Sequence, residues 1–224
     1  MPKTYLGLPT SKLLLICGVV GIFGCASVLL TNAIGTVVVD GYNPISQTIS
    51  DLAIAEKAWI QDTGLDLFAV SFITCAIGLL ALNLGGLRWR AGAFTMLLLA
   101  VDIALIAEHN KYANREGVGT AIHIYCVYAL GALFTAAPLL MAAGLRKISH
   151  GWYLYSLGTA ASWAVLSPLF FFTPTSWDGA YERFISLIMI TWVALISWLL
   201  IQKAKDQRKQ LASTRSNKQQ RDNA

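Results

Sequence analysis

Six long apolar runs, separated by short polar segments, dominate the pattern of the chain. They cover residues 13–34, 65–84, 91–107, 119–145, 152–173 and 184–201. The core of a bilayer is about 30 Å thick, so a helix needs roughly 20 mostly apolar residues to cross it. Backbone N–H and C=O groups find no water in lipid, which leaves the α-helix as the structure of each run. The pattern predicts an all-α, polytopic membrane helix bundle with six transmembrane helices.

The segment 35–61, between the first two spans, is the longest connection and carries a helical pattern of its own. Asn43 followed by Pro44 is typical of a helix cap with proline at the first helical position. Apolar residues then repeat at helical spacing, at Ile45, Ile49 and Leu52. We expect a short amphipathic helix in this first outer loop, lying on the surface or dipping into the mouth of the bundle.

Small residues in the first span predict tight helix packing. Glycines recur at spacing three, at Gly18, Gly21 and Gly24. Because a glycine has no side chain, such a stripe lets the backbone of a neighbouring helix come close. The connections 85–90 and 146–151 are short, so the helices that they join are expected to pair as antiparallel neighbours.

The composition agrees with a chain that has lipid as part of its solvent. Hydrophobic residues make up 56% of it and charged residues 13%, and the mean hydropathy is +0.58. These values exclude an ordinary soluble domain. The four cysteines lie inside the predicted spans at different depths, so neither a disulfide framework nor a paired-cysteine metal or redox site is indicated; they are Cys17, Cys25, Cys75 and Cys126.

The charges predict the orientation. Most of the 17 lysine and arginine residues fall on the side of the two termini, and those on the other side are Lys57, Lys111, Arg115 and Arg183. This bias predicts a multi-pass protein of the cell membrane with both termini in the cytoplasm. The carboxylates show the reverse distribution, which makes the outer face negative. We expect a transmembrane domain over 1–202 and a basic, disordered cytoplasmic tail over 203–224 that contacts anionic lipid rather than nucleic acid.

Ionisable groups at membrane depth are costly and need an explanation. Asp102 lies near the middle of the third span, and His109 lies about two turns outward on almost the same helical face. His123 stands one turn into the fourth span, close to the level of His109, with Cys126 one turn deeper. Two readings stay open for Asp102: a carboxylate hydrogen-bonded to a neighbouring helix, or a charge that supports His109 or a ligand.

The two histidines also leave alternatives open. Histidines from adjacent antiparallel helices can bind a metal, act as acid and base near neutral pH, or form a hydrogen-bonded pair at a polar mouth. The sequence therefore leaves the metal and any cofactor unknown. Within the spans there is no lysine, which excludes a retinal-type Schiff base, and the histidines are too few to ligate two stacked haems.

Polar residues at the outer helix ends have both structural and functional readings. Asp66 fits the third position of a helix that Thr63 caps, and capping is as good an explanation as catalysis. Ser50 is a nucleophile if a histidine lies within reach, or else a helix cap. Glu182 and Arg183 are neighbours and point different ways, so we expect Arg183 to meet Asp51, Asp66 or Glu108, or an anionic headgroup.

Short motifs occur in a fixed order along the six spans. They are Tyr42-Asn43-Pro44-Ile45-Ser46, Ile49-Ser50-Asp51-Leu52, Asp102, His123 and Glu182-Arg183. In this order and placement the chain resembles the family called domain of unknown function 998, six-helix membrane proteins of bacteria and archaea. The resemblance covers all six helices and leaves the tail outside. It implies an architecture and a set of polar positions, and no established reaction.

Two details qualify the resemblance. In the family, small residues tend to follow the histidine of the fourth helix, whereas Ile124 follows His123 here. The element Ile49-Ser50-Asp51 is also similar to one in the eukaryotic Frag1/DRAM/Sfk1 membrane proteins, some of which act in lipid-anchor remodelling or lipid distribution.

These observations lead to one functional expectation with two rivals. We expect the outer helix ends to form a shallow polar cavity that binds a lipid headgroup or similar amphiphile, so that membrane lipids are the partners. In a lipid-directed hydrolase or transferase, the catalytic residues are His123, His109, Asp102 and Asp51, and the substrate-binding residues are Arg183, Glu182, Asp66 and Ser50, with Arg183 on the phosphate. The rivals are a non-enzymatic scaffold or sensor, and a proton-coupled transporter that titrates Asp102.

Overall fold

The computed structural model describes residues 4–5, 7–54, 57–112 and 117–222. Two short strands, β1 (Thr4–Tyr5) and β2 (Leu8–Pro9), pair antiparallel before the first helix. The helices are α1 (Thr10–Val38), α2 (Ile49–Leu52), α3 (Ala58–Leu82), α4 (Leu87–His109), α5 (Val118–Leu145), α6 (His150–Leu169) and α7 (Asp178–Asp222). Turns of 3₁₀ helix, Asn110–Tyr112 and Phe170–Phe172, follow α4 and α6. Six of the helices, all except α2, are long and apolar enough to cross a membrane, so the predicted all-α fold is confirmed.

The six long helices form a ring in which neighbours in space are mostly neighbours in sequence. α1 packs against α3 and α7, α4 packs against α3 and α5, and α6 packs against α5. The contact between α6 and α7, which closes the ring, is much smaller. One end of the ring holds the start of α1. We call the opposite end, which carries residues 39–54 and 173–177, the loop end.

In the half of the ring opposite the loop end, the helices pack closely. We call this half the packed half. A Cβ atom on Gly24 would overlap the carbonyl oxygen of Leu67 in α3, and one on Gly18 would press on Ile201 of α7. The predicted close approach of helices at the glycine stripe is therefore confirmed. Large rings occupy the interior: Trp89 donates from Nε1 to the Leu79 carbonyl oxygen at 2.8 Å. Helix backbones therefore come close together in this half.

The first outer loop contains the predicted short helix, but the helix begins later than expected. α2 starts at Ile49, because Thr48 and Asp51 form a reciprocal capping box: Thr48 N donates to Asp51 Oδ2 at 2.7 Å and Asp51 N to Thr48 Oγ1 at 3.2 Å. Asn43 instead stabilises a turn, in which its Oδ1 accepts a hydrogen bond from Ile45 N at 3.0 Å. The side chain of Leu52 is buried against Gly35 of α1.

A further expectation, about the start of a helix, is wrong. α3 begins at Ala58, so Thr63 and Asp66 lie inside the helix, and Thr63 Oγ1 donates to the Trp59 carbonyl oxygen at 2.7 Å. No proline or glycine interrupts 58–63, so nothing delays the helix start to Thr63. α7 continues through the tail as far as Asp222, and 203–222 contains no helix breaker. The division of the chain at residue 202 stays a prediction.

Candidate functional site

A large cavity occupies the loop-end half of the ring. Its volume is about 940 Å³, near the upper end of the roughly 300–1,000 Å³ that ligand pockets span. All six long helices contribute to its wall, which is mostly apolar. Along α7 it extends from Glu182 to Ile190, about 12 Å at 1.5 Å per residue. We call this space the loop-end cavity; it is deep and apolar, whereas the sequence predicts a shallow polar one.

Aromatic side chains close the cavity on the side of the packed half. Trp163 of α6 lines the cavity and is 3% exposed. Its ring meets Phe134 of α5 edge-on, with centroids 4.8 Å apart, and Phe134 meets Trp192 of α7 at 5.7 Å. The Trp163 Nε1 group donates to the Gly131 carbonyl oxygen at 3.2 Å. These rings form the floor of the cavity and separate it from the packed half.

Part of the cavity wall is also part of the outer surface of the bundle. Tyr128 of α5, Phe172 of the 3₁₀ turn after α6, and Leu187 of α7 line the cavity and are 53%, 82% and 48% exposed. They flank the region where α6 makes its small contact with α7. The wall of the cavity is therefore only one side chain thick at these positions.

Polar side chains gather at the mouth of the cavity, at the loop end. Those that line it are Asn32, Ser50, Gln61, Asn110, Glu182 and Arg183. Gln61 and Asn110 are buried, and neither Gln61 Nε2 nor Asn110 Oδ1 has a hydrogen-bond partner among the described residues. A cavity with apolar walls and a polar mouth matches a molecule with a polar head and an apolar tail.

Arg183 fastens the first outer loop to α7. Its Nη1 donates to the carbonyl oxygens of Pro44, Gln47 and Gly179 at 3.0, 3.1 and 2.9 Å. Its Nε donates to Asn32 Oδ1 at 3.1 Å, which ties α1 to the same point. All these acceptors are neutral, so the described hydrogen bonds of Arg183 do not go to Asp51, Asp66 or Glu108, the carboxylates that the sequence suggested. Backbone carbonyls of the loop lie within reach because α7 begins directly beneath it.

Tyr42 completes this anchor. Its hydroxyl accepts a hydrogen bond from Arg183 Nη2 at 2.6 Å and lies 2.9 and 2.6 Å from the carbonyl oxygens of Gln47 and Thr48, to which it donates. Burial raises the pKa of the Tyr42 phenol, and the hydrogen bond from Arg183 opposes part of that shift. The phenol is therefore protonated at neutral pH and available as a donor.

Two backbone contacts bring the loop even closer to α7. Ala180 N donates to the Ile45 carbonyl oxygen at 2.9 Å, and Glu182 Oε2 accepts a hydrogen bond from Ile49 N at 2.6 Å. A Cβ atom on Gly179 would overlap the Gln47 carbonyl oxygen, so this position needs glycine. Glu182 and Arg183 thus reach different partners, as predicted, and both position the loop.

Asp102 and the two histidines lie outside the loop-end cavity. Asp102 is buried and interacts with the Cys126 thiol of α5, and its Oδ2 has no partner among the described residues. His109 Nδ1 donates to the Leu105 carbonyl oxygen of its own helix at 2.8 Å. His123 is buried near His109, and its Nδ1 is also unpartnered in the described part of the chain.

This geometry does not form the hydrogen-bonded acid–base set that the sequence suggested. Asp102 and His109 are about 10 Å apart along α4 at 1.5 Å per residue, which is too far for direct contact, and the described residues show no hydrogen bond from Asp102 to either histidine. Over 4–5, 7–54, 57–112 and 117–222, no group of three or more His, Cys, Asp or Glu side chains is arranged to hold a metal ion.

The predicted site residues are therefore divided. Ser50, Glu182 and Arg183 line the loop-end cavity. Asp51 lies beside it in the first outer loop, where it lines a smaller hollow of about 300 Å³ with Tyr42. The predicted residues that are absent from the described lining of the large cavity are Asp66, Asp102, His109 and His123.

Sequence reasoning missed several residues of the mouth and floor. Asn32, Gln61 and Asn110 carry no charge, so the search for costly ionisable groups passed over them, although Asn32 is polar and lies within the first apolar run. Trp163 and Gly131 carry no polar signal at all, and only their position in the folded bundle reveals them.

Comparison with known proteins gives a family and no closer relative. The family model described as "Protein of unknown function (DUF998)" matches residues 19–199. Comparisons with curated proteins and with solved structures find no match. The matched region runs from α1 into α7 and includes every described residue that lines the loop-end cavity. Because the match spans most of the chain, this multi-pass membrane protein belongs to the DUF998 family.

Proposed function

We propose that the protein binds a single membrane amphiphile in the loop-end cavity. The apolar chain lies between the helices, with its end near Trp163, and the polar headgroup lies at the mouth near Gln61 and Asn110. The observation that carries this proposal is the cavity itself: about 940 Å³, mostly apolar along its length, with amide and charged side chains at one end. A cavity of this size lined by apolar side chains stabilises a bound chain by removing apolar surface from water.

The side of the cavity supports access from the bilayer. The exposed lining residues Tyr128, Phe172 and Leu187 lie next to the weak contact between α6 and α7. A lipid can enter there without passing its chain through water. In this proposal the termini face the cytoplasm and the mouth lies on the opposite side, as the distribution of lysine and arginine predicts.

The proposal assigns no catalytic residue. The described cavity lining does not include His123, His109, Asp102 or Asp51, and their catalytic roles stay predictions. The proton-coupled transporter and the scaffold or sensor also stay predictions. Binding of an amphiphile is the step that a lipid-directed enzyme, a scaffold and a sensor would share.

A brominated ligand tests the proposal. Bromine quenches tryptophan fluorescence on contact, and Trp163 lies at the floor of the cavity. We expect a monoacylglycerol with a brominated stearoyl chain to quench the detergent-solubilised protein saturably. In Trp163→Phe this saturable component should disappear.

Trp198→Phe is the matched control, because Trp198 is 49% exposed on α7 and lies outside the described cavity lining. That variant should keep the saturable component and lose only part of the non-saturable quenching by surrounding ligand. If Trp163→Phe is quenched as strongly as the wild-type protein, the chain does not reach the floor and the proposal fails.

A further inference from the structure

The mouth of the loop-end cavity contains buried hydrogen-bonding groups that the protein leaves unused. Gln61 and Asn110 are each 1% exposed and line the cavity. Gln61 Nε2, Asn110 Nδ2 and Asn110 Oδ1 have no hydrogen-bond partner among the described residues. Buried polar groups in native proteins are nearly always paired. These amides therefore need a ligand or ordered water that both donates and accepts hydrogen bonds.

The cation at the mouth is already engaged. A guanidinium has five N–H groups, and Arg183 uses its Nε on Asn32, its Nη1 on backbone carbonyls, and its Nη2 on Tyr42. At most one N–H of Nη2 remains. A bidentate grip on phosphate, which is the usual contribution of arginine to phosphate binding, is not available.

Among the described residues around the mouth, carboxyl groups outnumber cationic groups. Glu182 lines the cavity together with Arg183, and its Oε2 accepts a hydrogen bond from Ile49 N. Beside Asn110, the carboxylates of Asp62, Asp66 and Glu108 lie close together, with Lys111 as the nearby cation. Asp62 is within electrostatic reach of the Asn110 amide, although the two do not meet hydrogen-bond geometry. An anionic headgroup placed here would face like charge.

We propose that the mouth selects an uncharged, hydroxyl-bearing headgroup, such as that of a monoacylglycerol, over a phosphate headgroup. A hydroxyl both donates and accepts hydrogen bonds, so it can satisfy the Gln61 amide N–H and the Asn110 amide oxygen together. This inference rests on the proposed function, because it assigns the headgroup of the same amphiphile. It also replaces the expectation that Arg183 holds a phosphate.

Two ligands with the same chain test the inference. Brominated monoacylglycerol and the corresponding brominated lysophosphatidate differ only in the phosphate. We expect the wild-type protein to bind the uncharged ligand at least about tenfold more tightly than the phosphate ligand. The affinity is obtained from the saturable part of the quenching, which is the part that Trp163→Phe abolishes. Equal affinities, or tighter binding of lysophosphatidate, would overturn the headgroup inference and leave the proposed function standing. If neither ligand gives saturable quenching, the proposed function and the inference fall together.

A substitution at the mouth gives a second readout. Gln61→Leu keeps the approximate size of the side chain and removes its amide, so the affinity for monoacylglycerol should fall about five- to tenfold. Gln210→Leu, the same change at an exposed position of α7, should bind as the wild-type protein does. Unchanged affinity in a folded Gln61→Leu would show that the headgroup is not at Gln61. If Gln61→Leu fails to fold, the comparison of the two ligands on the wild-type protein tests the headgroup inference on its own.

Discussion

Arg183→Lys should lower the free energy of unfolding by about 3 kcal/mol, since hydrogen bonds to charged groups contribute roughly 1.5–3 kcal/mol each and several are lost together. Lysine keeps the charge, but its single ammonium cannot span Asn32 of α1, the carbonyls of the first outer loop and the Tyr42 hydroxyl at once. Thermal unfolding in detergent measures the loss of stability. Limited proteolysis should show faster cleavage within 39–54.

Arg90→Lys is the control for this experiment. Arg90 is exposed on α4 at the end opposite the loop end, so the same change should leave the unfolding temperature and the proteolysis pattern unaltered. Should Arg183→Lys behave like Arg90→Lys, the anchoring of the first outer loop by the guanidinium is not a determinant of stability.

Gly131→Phe is expected to reduce binding of brominated monoacylglycerol at least tenfold, which corresponds to about 1.4 kcal/mol. A Cβ atom on Gly131 would meet only Ser167 Oγ, at 3.6 Å, which is ordinary contact. Both residues line the loop-end cavity, so the phenyl ring is accommodated in the space proposed for the chain. Because glycine is a poor helix former, the ligand-free protein should keep its stability or gain up to about 1 kcal/mol.

Gly158→Phe makes the same change on α6 at an exposed glycine with nothing within 4 Å of its Cβ position, away from the described lining of the cavity. It should bind the ligand like the wild-type protein. Equal binding by Gly131→Phe and Gly158→Phe would mean that the ligand occupies some other place.

The six spans could be predicted because each follows from a local property. The length of an apolar run sets whether it can cross a bilayer, and lipid forces it to be helical. The ends of helices were harder to predict, because competing cap signals lie close together in the sequence. Asn43 with Pro44 is a good signal for a helix start, but α2 begins at the reciprocal pair of Thr48 and Asp51.

The candidate site could be predicted only in part, because it depends on which side chains face a shared space. Glu182 and Arg183 were found from the cost of charge near a membrane. Nothing in the sequence shows that Arg183 binds carbonyls of the first outer loop, since its partners lie on distant parts of the chain. Asp102 is likewise costly to bury, and the partner that the structure describes for it is the Cys126 thiol.

The cavity itself had no sequence signal. It lies between helices of which two, α6 and α7, make only a small contact with each other, while Phe134, Trp163 and Trp192 fill the interior below. The apolar residues that line it are of the same type as those that face lipid. Hydropathy cannot distinguish an apolar residue facing a cavity from one facing a bilayer.

A photoreactive lipid gives the most direct measurement of whether an acyl chain occupies the loop-end cavity. The protein in lipid nanodiscs would be irradiated with a monoacylglycerol that carries a diazirine near the end of its chain, and the modified residues would be identified by mass spectrometry. We expect labelling on the cavity-lining residues of α5 and α7, such as Gly131, Thr135 and Ile190, and its loss in Gly131→Phe. Labelling confined to outward-facing residues such as Phe94 and Leu139 would contradict a chain inside the bundle.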